Sequence, residues 1–565
     1  MDYRKIISQT VKIDGVSEEE IYAAISVPPR RENGEYCLPC FRFSKALRTS
    51  PNAIADKLKA EIKLPPEIES AESVAGYLNF KLNRAFLAAG TLNEIAAKGE
   101  TFAPHAPLGK TVCIDYSSIN IAKPFHIGHL LTTAIGGSLY RIFDYLGYKT
   151  VGINHLGDWG TQFGKLVSAY KRWGNDEDIQ KRGVTALMEL YVRFHAEAEH
   201  NPELDDEGRY YFKKIEDGDA EAVGIFERFK ELTLIEVQKI YDRLGITFDS
   251  YAGESFYNDK MQPVIDELEQ KGLLTESEGA KVVDLEAEGM PPCLILKKDG
   301  ATLYATRDLA AAVYRHDTYD FYKCLYVVAY QQNLHFKQVF KVLEKLGKPW
   351  AHNCVHVPFG MVSLEGGEAL STRKGNVVLL KDVLSTAVAK AEKIIAEKNP
   401  DLADKSAVAE AVGVGAIVFS ALSTSRIKDM VFSYDKSLSF EGETAPYLQY
   451  THARCSSILK KAEYSYSGGK EVDFTALCDD ESIDVITQLA RFEAVVSEAA
   501  EKYEPCLIAR YLLDLAQTFN RFYIGHRVVT QDKKTTDARL LLTACVKSTL
   551  KNGLNLLLIK APEKM

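Results

Sequence analysis

Thr111-Val112-Cys113-Ile114-Asp115 is followed by His126-Ile127-Gly128-His129 and then by an apolar series, Leu130, Leu131, Ala134, Ile135, Leu139, Ile142, Phe143 and Leu146. The first run reads as a buried strand, and the last series recurs at helical spacing. The tetrapeptide therefore occupies the turn between a strand and the first turn of a helix. Backbone N–H groups and the positive end of a helix dipole meet at such a turn, which suits anionic phosphate. Gly128 removes a side chain where a flat ring or phosphate would come close. The imidazoles of His126 and His129 can donate hydrogen bonds to phosphate oxygens. Two histidines three apart are also half of a metal site. Nothing nearby has further metal-ligand spacing, whereas strand, glycine and helix are all in place, so a nucleotide site is the stronger expectation.

Outward from this turn, a chain of 565 residues has material for several domains with buried cores. An apolar share of 46% and a charged share of 26% are ordinary for a globular protein. Met1-Asp2-Tyr3-Arg4-Lys5 lacks the apolar core of a secretory signal. The longest near-apolar stretch, Ala411 to Leu422, is too short to span a bilayer. A soluble, cytoplasmic protein with no membrane partner is expected. Ten cysteines without a framework fit a reducing compartment. Cys37 and Cys40 form a C-x-x-C pair, but no second pair completes a zinc ribbon, and core packing is expected of them. No resident metal is expected.

A net charge of -9 argues against indiscriminate nucleic-acid binding. Residues 520–565 nevertheless carry nine Lys or Arg against Asp532, Asp537 and Glu563, a local balance of +6. Phe519, Asn520, Phe522, Tyr523 and His526 lie among or beside these charges. That mixture suits either a solvated helix face or an RNA contact.

Four parts are expected. Residues 1–105 mix helix and strand and end at the Pro-containing linker Ala103-Pro104-His105-Ala106-Pro107. Residues 106–385 alternate strand and helix, an α/β domain with a parallel sheet. Within it, about 176–271 is charge-rich and reads as a helical insertion. Residues 386–445 and 446–565 read as almost wholly helical.

Three further constellations sit where strands end. Asn154-His155-Leu156-Gly157-Asp158-Trp159-Gly160 follows a strand at Thr150–Ile153. Tyr304-Ala305-Thr306-Arg307-Asp308 precedes an Ala-rich helix, and Gln331-Gln332-Asn333-Leu334-His335 follows a strand at Cys324–Ala329. In open α/β sheets ligands bind at the carboxyl ends of strands, so one shared pocket is expected. Leu370-Ser371-Thr372-Arg373-Lys374-Gly375-Asn376 is a cationic loop of the kind that meets charge developing in phosphoryl chemistry.

The run Ser117-Ser118-Ile119-Asn120-Ile121-Ala122-Lys123-Pro124-Phe125-His126-Ile127-Gly128-His129 resembles the first signature of class I aminoacyl-tRNA synthetases, in the form typical of arginyl-tRNA synthetases. The resemblance extends through Asn154–Gly164, Tyr304–Asp308, Gln331–His335, Ser371–Gly375 and Glu443–Arg454. Asp537-Ala538-Arg539-Leu540 is similar to the element that names the family's anticodon-binding domain. By resemblance, the fold is a Rossmann-like parallel-sheet catalytic domain with an N-terminal α+β domain and a C-terminal all-α anticodon-binding domain.

The resemblance implies an arginine–tRNA ligase using ATP with Mg2+, L-arginine and tRNA(Arg), in a family commonly monomeric. His126, Ile127, Gly128, His129, His335, Ser371, Thr372, Arg373 and Lys374 fall at ATP-binding positions. Asp115, Ser118, Ile119, Asn120, His129, Tyr304, Asp308 and Gln332 fall at arginine-binding positions. Tyr77 and Asn79 fall where the family's N-terminal domain touches the tRNA D-loop, and Tyr450, Arg454 and Met565 fall near the anticodon loop. The second class I signature usually carries a lysine that Arg373 replaces here. Lys123 stands where many arginyl enzymes hold a substitute, so Lys123, with Lys374 assisting, is expected beside His126 and His129 in catalysis.

Overall fold

The computed structural model describes residues 3–28, 30–364, 378–465 and 472–565. The chain divides into two compact units. One comprises Met1–Phe102, Thr451–Ala494 and Leu513–Asn552, the other Ala103–Tyr450, Val495–Leu512 and Gly553–Met565.

In the first unit, β1 (Tyr36–Pro39), β2 (Ile68–Val74) and β3 (Tyr77–Leu82) form an antiparallel sheet ordered β1-β3-β2. Ala75 and Gly76, at φ 48° and 80°, make the two-residue turn between β2 and β3. Positive φ at both positions matches the twist of a hairpin. Leu38, Leu78 and Phe80 bury the inner face of the sheet, and Cys37 and Cys40 are buried with them, as expected of core thiols. The rest of the unit is largely helical. Arg84 pairs with Asp480 at 2.9 Å, and Glu100 with Lys547 and Lys551 at 2.9 and 3.0 Å. The first hundred residues thus share one unit with most of the C-terminal helices, although the sequence reading separates them.

In the second unit, β4 (Thr111–Asp115), β5 (Lys149–Ile153), β9 (Phe321–Tyr326) and β10 (Cys354–His356) form a parallel sheet ordered β10-β9-β4-β5. Helix Leu130–Tyr145 connects β4 to β5 on one side, and the chain later returns to lay β9 on the other side of β4. The order of winding therefore reverses at β4, and a crevice opens beyond its carboxyl end. Cys113, Val151, Ile153, Cys324 and Cys354 of these strands share one apolar core with Leu309 and Ala312 of helix Tyr304–Tyr319.

Three boundaries differ from the sequence reading. Met261, Val264, Ile265 and Leu268 of helix Met261–Gln270 belong to that same core, so the helical insertion ends before residue 261. Next, β6 (Leu274–Ser277), β7 (Ala280–Val283) and β8 (Cys293–Leu296) form an antiparallel meander, turned at Glu278-Gly279 with φ 48° and 81°. Third, β11 (Val362–Leu364) pairs in parallel with β12 (Met430–Phe432) inside the stretch expected to be helical. Helix Lys405–Leu422 extends the 411–422 apolar run to 18 residues, long and apolar enough to cross a membrane, yet 67% of it is buried inside the protein.

Candidate active site

His126-Ile127-Gly128-His129 does form the turn after β4, as a 3-10 turn (Ile127–His129) leading into helix Leu130–Tyr145. Its backbone donors are not available to a phosphate, which corrects the sequence reading. The His126 N–H donates to His129 Nδ1 (3.3 Å) and the Gly128 N–H to His126 Nδ1 (3.1 Å). The Ile127 N–H donates to the Val378 carbonyl (3.0 Å) and the His129 N–H to that of His126 (2.9 Å). At Gly128 the protein itself also leaves little room, since a Cβ there would lie 2.7 Å from the His126 ring and displace it.

The two imidazoles take their state from burial and from the charges around them. Burial first, and then the charge of Lys123, lower the pKa of His126. Burial and the neighbouring His126 lower that of His129 to about 3. Both rings are therefore neutral near pH 7, and with Nδ1 accepting from the backbone each carries its proton on Nε2. The rings lie 4.0 Å apart, and His129 stacks on Phe125 at 5.2 Å.

The loop after β4 carries Ser118 and Asn120. Ser117, Ser118 and Ala122 hold φ values of 68°, 44° and 58°. Such conformations cost about 1–3 kcal/mol each and persist only where the surroundings hold them. The loop lies alongside Ile119–Gly157 hydrogen bonding: the Gly157 N–H donates to the Ile119 carbonyl (2.8 Å), and the Ile121 N–H to that of Gly157 (3.1 Å). A Cβ on Gly157 would strike Asn120 Oδ1 at 2.5 Å. Ile119 itself is 2% exposed, and its carbonyl is engaged by the Gly157 N–H.

Carboxylates and cations gather around this loop. Asp115 Oδ1 accepts from the Ser118 hydroxyl (2.7 Å), and Oδ2 accepts from Arg315 Nη2 (2.7 Å). Arg315 is 1% exposed, and the same nitrogen lies 3.4 Å from His155 Nδ1. Asp308 sits in the first turns of helix Tyr304–Tyr319, which begins at the motif rather than after it. His335 Nε2 lies 2.5 Å from Asp308 Oδ2. Burial would raise the Asp308 carboxyl, but the His335 hydrogen bond and charge, with His155 and Arg315 beyond, hold it below the usual carboxylate range.

Electrostatic coupling ties the pieces into one site. Burial lowers the pKa of His155, with Asp115, Asp308 and Asp158 opposing and Arg315 adding to the fall. Glu254, 3.8 Å from Arg307, has its carboxyl pushed up to about 7 by burial, with Arg307 and Lys123 opposing and Asp308 and Asp158 adding to it. The Tyr304 hydroxyl is raised by partial burial first, then by Glu254 and Asp308, with Arg307 opposing. Gln332 is exposed at the end of the turn that follows β9. Asp115, at the end of β4, and Ser118, Asn120, Lys123, His126, His129, Tyr304, Asp308, Gln332 and His335, on loops and helix starts, thus lie around this crevice. Glu254 and Arg315 were missed by the sequence reading. No local motif marks either, because each acquires its environment from segments distant in sequence.

Ser371, Thr372, Arg373 and Lys374 lie outside the described residues. Their C-terminal flank is fixed, since the Leu380 N–H donates to the Phe125 carbonyl (2.9 Å) and Leu379 bridges His126. Among the expected RNA contacts, Tyr450 is 44% exposed. Arg454 donates to Asn520 Oδ1 and lies over the Tyr523 ring. Met565 packs against the cluster around Ala391 and Val412, and its carbonyl accepts from Asn399 (3.1 Å). Tyr77 is half-buried, whereas Asn79 is 3% exposed at the centre of the three-stranded sheet.

Comparison with known proteins bears on this geometry. The model described as "tRNA synthetases class I (R), catalytic domain" matches residues 91–434. "DALR anticodon binding domain" matches 448–565, and "Arginyl tRNA synthetase N terminal domain" matches 1–82. The chain is 50% identical to an arginine–tRNA ligase of Alkaliphilus metalliredigens and 51% identical to one of Clostridium botulinum, with 100% of both partners covered in each comparison. Among solved structures it is similar to the Thermus thermophilus arginyl-tRNA synthetase, with a TM-score of 0.81 at 28% identity over 96% of each chain.

Proposed function

Because the chain belongs to the arginyl-tRNA synthetase family of class I tRNA synthetases, we propose that it joins L-arginine to tRNA(Arg) in two steps. The arginine carboxylate attacks the α-phosphate of ATP. A carboxylate–phosphorus bond forms as the bond to pyrophosphate breaks, leaving arginyl-adenylate. The terminal ribose of tRNA(Arg) then takes the arginyl group through its 2′-OH and AMP leaves. The protein's share of such chemistry is positioning and charge stabilisation.

The observation that carries this reading is Asp308, a carboxylate kept ionised against burial by its hydrogen bond to His335. A planar guanidinium needs a two-oxygen acceptor, and a carboxylate supplies it, whereas lysine would present only a point charge. Ser118, Asn120, Tyr304 and Gln332 complete the amino-acid side, with Asp115 behind Ser118. The Nε2–H groups of His126 and His129 face the phosphates. Neutral rings bring no net charge, so Lys123, whose charge reaches both rings, is the cation that meets developing pyrophosphate.

Magnesium enters this reading as the ion carried on the ATP phosphates. Among the described residues, the one group of three His, Cys, Asp or Glu side chains close enough to share an ion is Asp479, Glu481 and His526, in the first unit. Tyr77, Tyr450 and Arg454 are read as tRNA contacts, and the enzyme as a cytoplasmic monomer.

Pyrophosphate exchange with each amino acid, in the presence of tRNA(Arg), tests the reading; arginine alone is expected to support it. Asp308→Ala is expected to abolish exchange with the circular dichroism spectrum unchanged. Lys123→Ala is expected to slow adenylate formation at least tenfold, about 1.4 kcal/mol of barrier. Near-normal exchange in the first variant would overturn the arginine site, and in the second the role of Lys123.

A further inference from the structure

Helix Ala220–Leu244 belongs to the insertion, not to the parallel sheet. It starts on Asp219, whose side chain accepts from the Ala222 N–H (3.0 Å), and stops at Gly245, with φ 65°. Lys230, Thr233, Val237 and Tyr241 recur at helical spacing, so they occupy one face. Each polar member of that face grips a loop of the candidate active site. Lys230 Nζ donates to Asp158 Oδ2 (2.8 Å), itself fully buried. Thr233 Oγ1 accepts the Ala122 N–H (3.0 Å) and donates to the Phe229 carbonyl (2.7 Å). The buried Tyr241 hydroxyl lies 2.8 Å from Ser117 Oγ and accepts from Asn154 Nδ2 (2.9 Å).

These bonds fall on the strained part of the loop. Ser117 and Ala122, both at positive φ, bracket Ser118 and Asn120. Tyr241 holds the first end and Thr233 the second. Tyr241 also joins two strand ends, since Ser117 follows β4 and Asn154 follows β5. Its ring meets Phe125 edge-on at 5.7 Å, and Phe125 is the ring on which His129 stacks.

We propose that Tyr241 is a positioning residue for the amino acid: its hydroxyl clamps the strained 117–122 loop to Asn154, so a helix outside the sheet sets how tightly arginine is held. This rests on the reading of Ser118, Asn120 and Asp308 as the arginine pocket. Tyr241 touches no substrate. It keeps Ser118 and Asn120 in a backbone conformation that the loop would otherwise leave.

The test is pyrophosphate exchange with tRNA(Arg) present, on Tyr241→Phe, Thr233→Val, Ser118→Ala, the Tyr241→Phe/Ser118→Ala double variant and Asp308→Ala. Tyr241→Phe keeps the ring and its packing, and is expected to raise the arginine KM tenfold or more while the ATP KM stays within twofold. Thr233→Val, acting at the other end of the loop, is expected to shift the same constant. Ser118→Ala is expected to cost less in the Tyr241→Phe background than alone, because the hydroxyl is already misplaced there. An arginine KM within twofold of the parent in Tyr241→Phe would overturn the proposal, as would equal rises in both KM values or a fall in melting temperature with kinetics unchanged. Asp308→Ala separates the two readings. If it spares the arginine KM, the pocket reading fails; if it abolishes exchange while Tyr241→Phe is silent, only the clamp fails.

Discussion

At the scale of residues, the imidazole pair and the carboxylates divide the chemistry by charge. His126 is kept neutral by burial and the charge of Lys123, and His129 by burial and the neighbouring His126. Glu254 behaves in the opposite sense. Its carboxyl titrates at about 7, so a negative charge appears near Tyr304, Arg307 and Asp308 as pH rises through neutrality. A cationic amino acid is drawn in more strongly by that charge. The arginine KM is therefore expected to fall between pH 6 and pH 8, and Glu254→Gln to flatten that limb; an unchanged pH profile in the variant would reject the assignment. The imidazoles were legible in the sequence because their strand–turn–helix setting is local. Glu254 was not, because its raised pKa is produced by burial among segments that fold together from elsewhere. The occupied N–H groups of the turn were equally hidden, since one of their acceptors is the distant Val378.

At the scale of elements, strand β4, the turn and helix Leu130–Tyr145 follow directly from hydrophobic periodicity. Period-based reading fails where a short apolar run suits more than one partner. The segment between residues 271 and 304 carries strands, but whether they join a parallel sheet or form a meander depends on the turns. Glu278-Gly279 decides it, because a two-residue turn with positive φ returns the chain antiparallel. The insertion shows the reverse case. Its helices read correctly as helices, yet the polar face of Ala220–Leu244 looks like ordinary surface polarity until the strand-end loops are laid against it. Lys230 and Thr233 are charged or hydroxylic for a reason that lies in Asp158 and Ala122, not in the helix.

At the scale of the molecule, the first unit draws on both ends of the chain, and ion pairs join them. The carboxyl of Glu100 is lowered to about 2, first by its hydrogen bond to Lys547 and, against the cost of burial, also by Lys551. A depressed carboxylate contributes stability that is complete above its unfolded value near 4.5 and lost as pH falls toward 2. Thermal unfolding should find Glu100→Gln less stable than the parent from pH 8 to 5.5. The difference should shrink as the pH falls below 4.5, and a difference that widens there would refute the pairing.

The sequence by itself determined the β4–turn–helix unit, the identity of the two imidazoles, the carboxylate at 308 and the family to which they belong, because each is carried by residues close together in the chain. Only the tertiary structure decided which donors of the turn are already spent, why Ser117 and Ala122 can hold left-handed backbone, and that Glu254, Arg315 and Tyr241 border the same crevice. Burial, strain and charge coupling are properties of neighbours in space. In a parallel sheet those neighbours arrive by long crossovers, and no local pattern announces them.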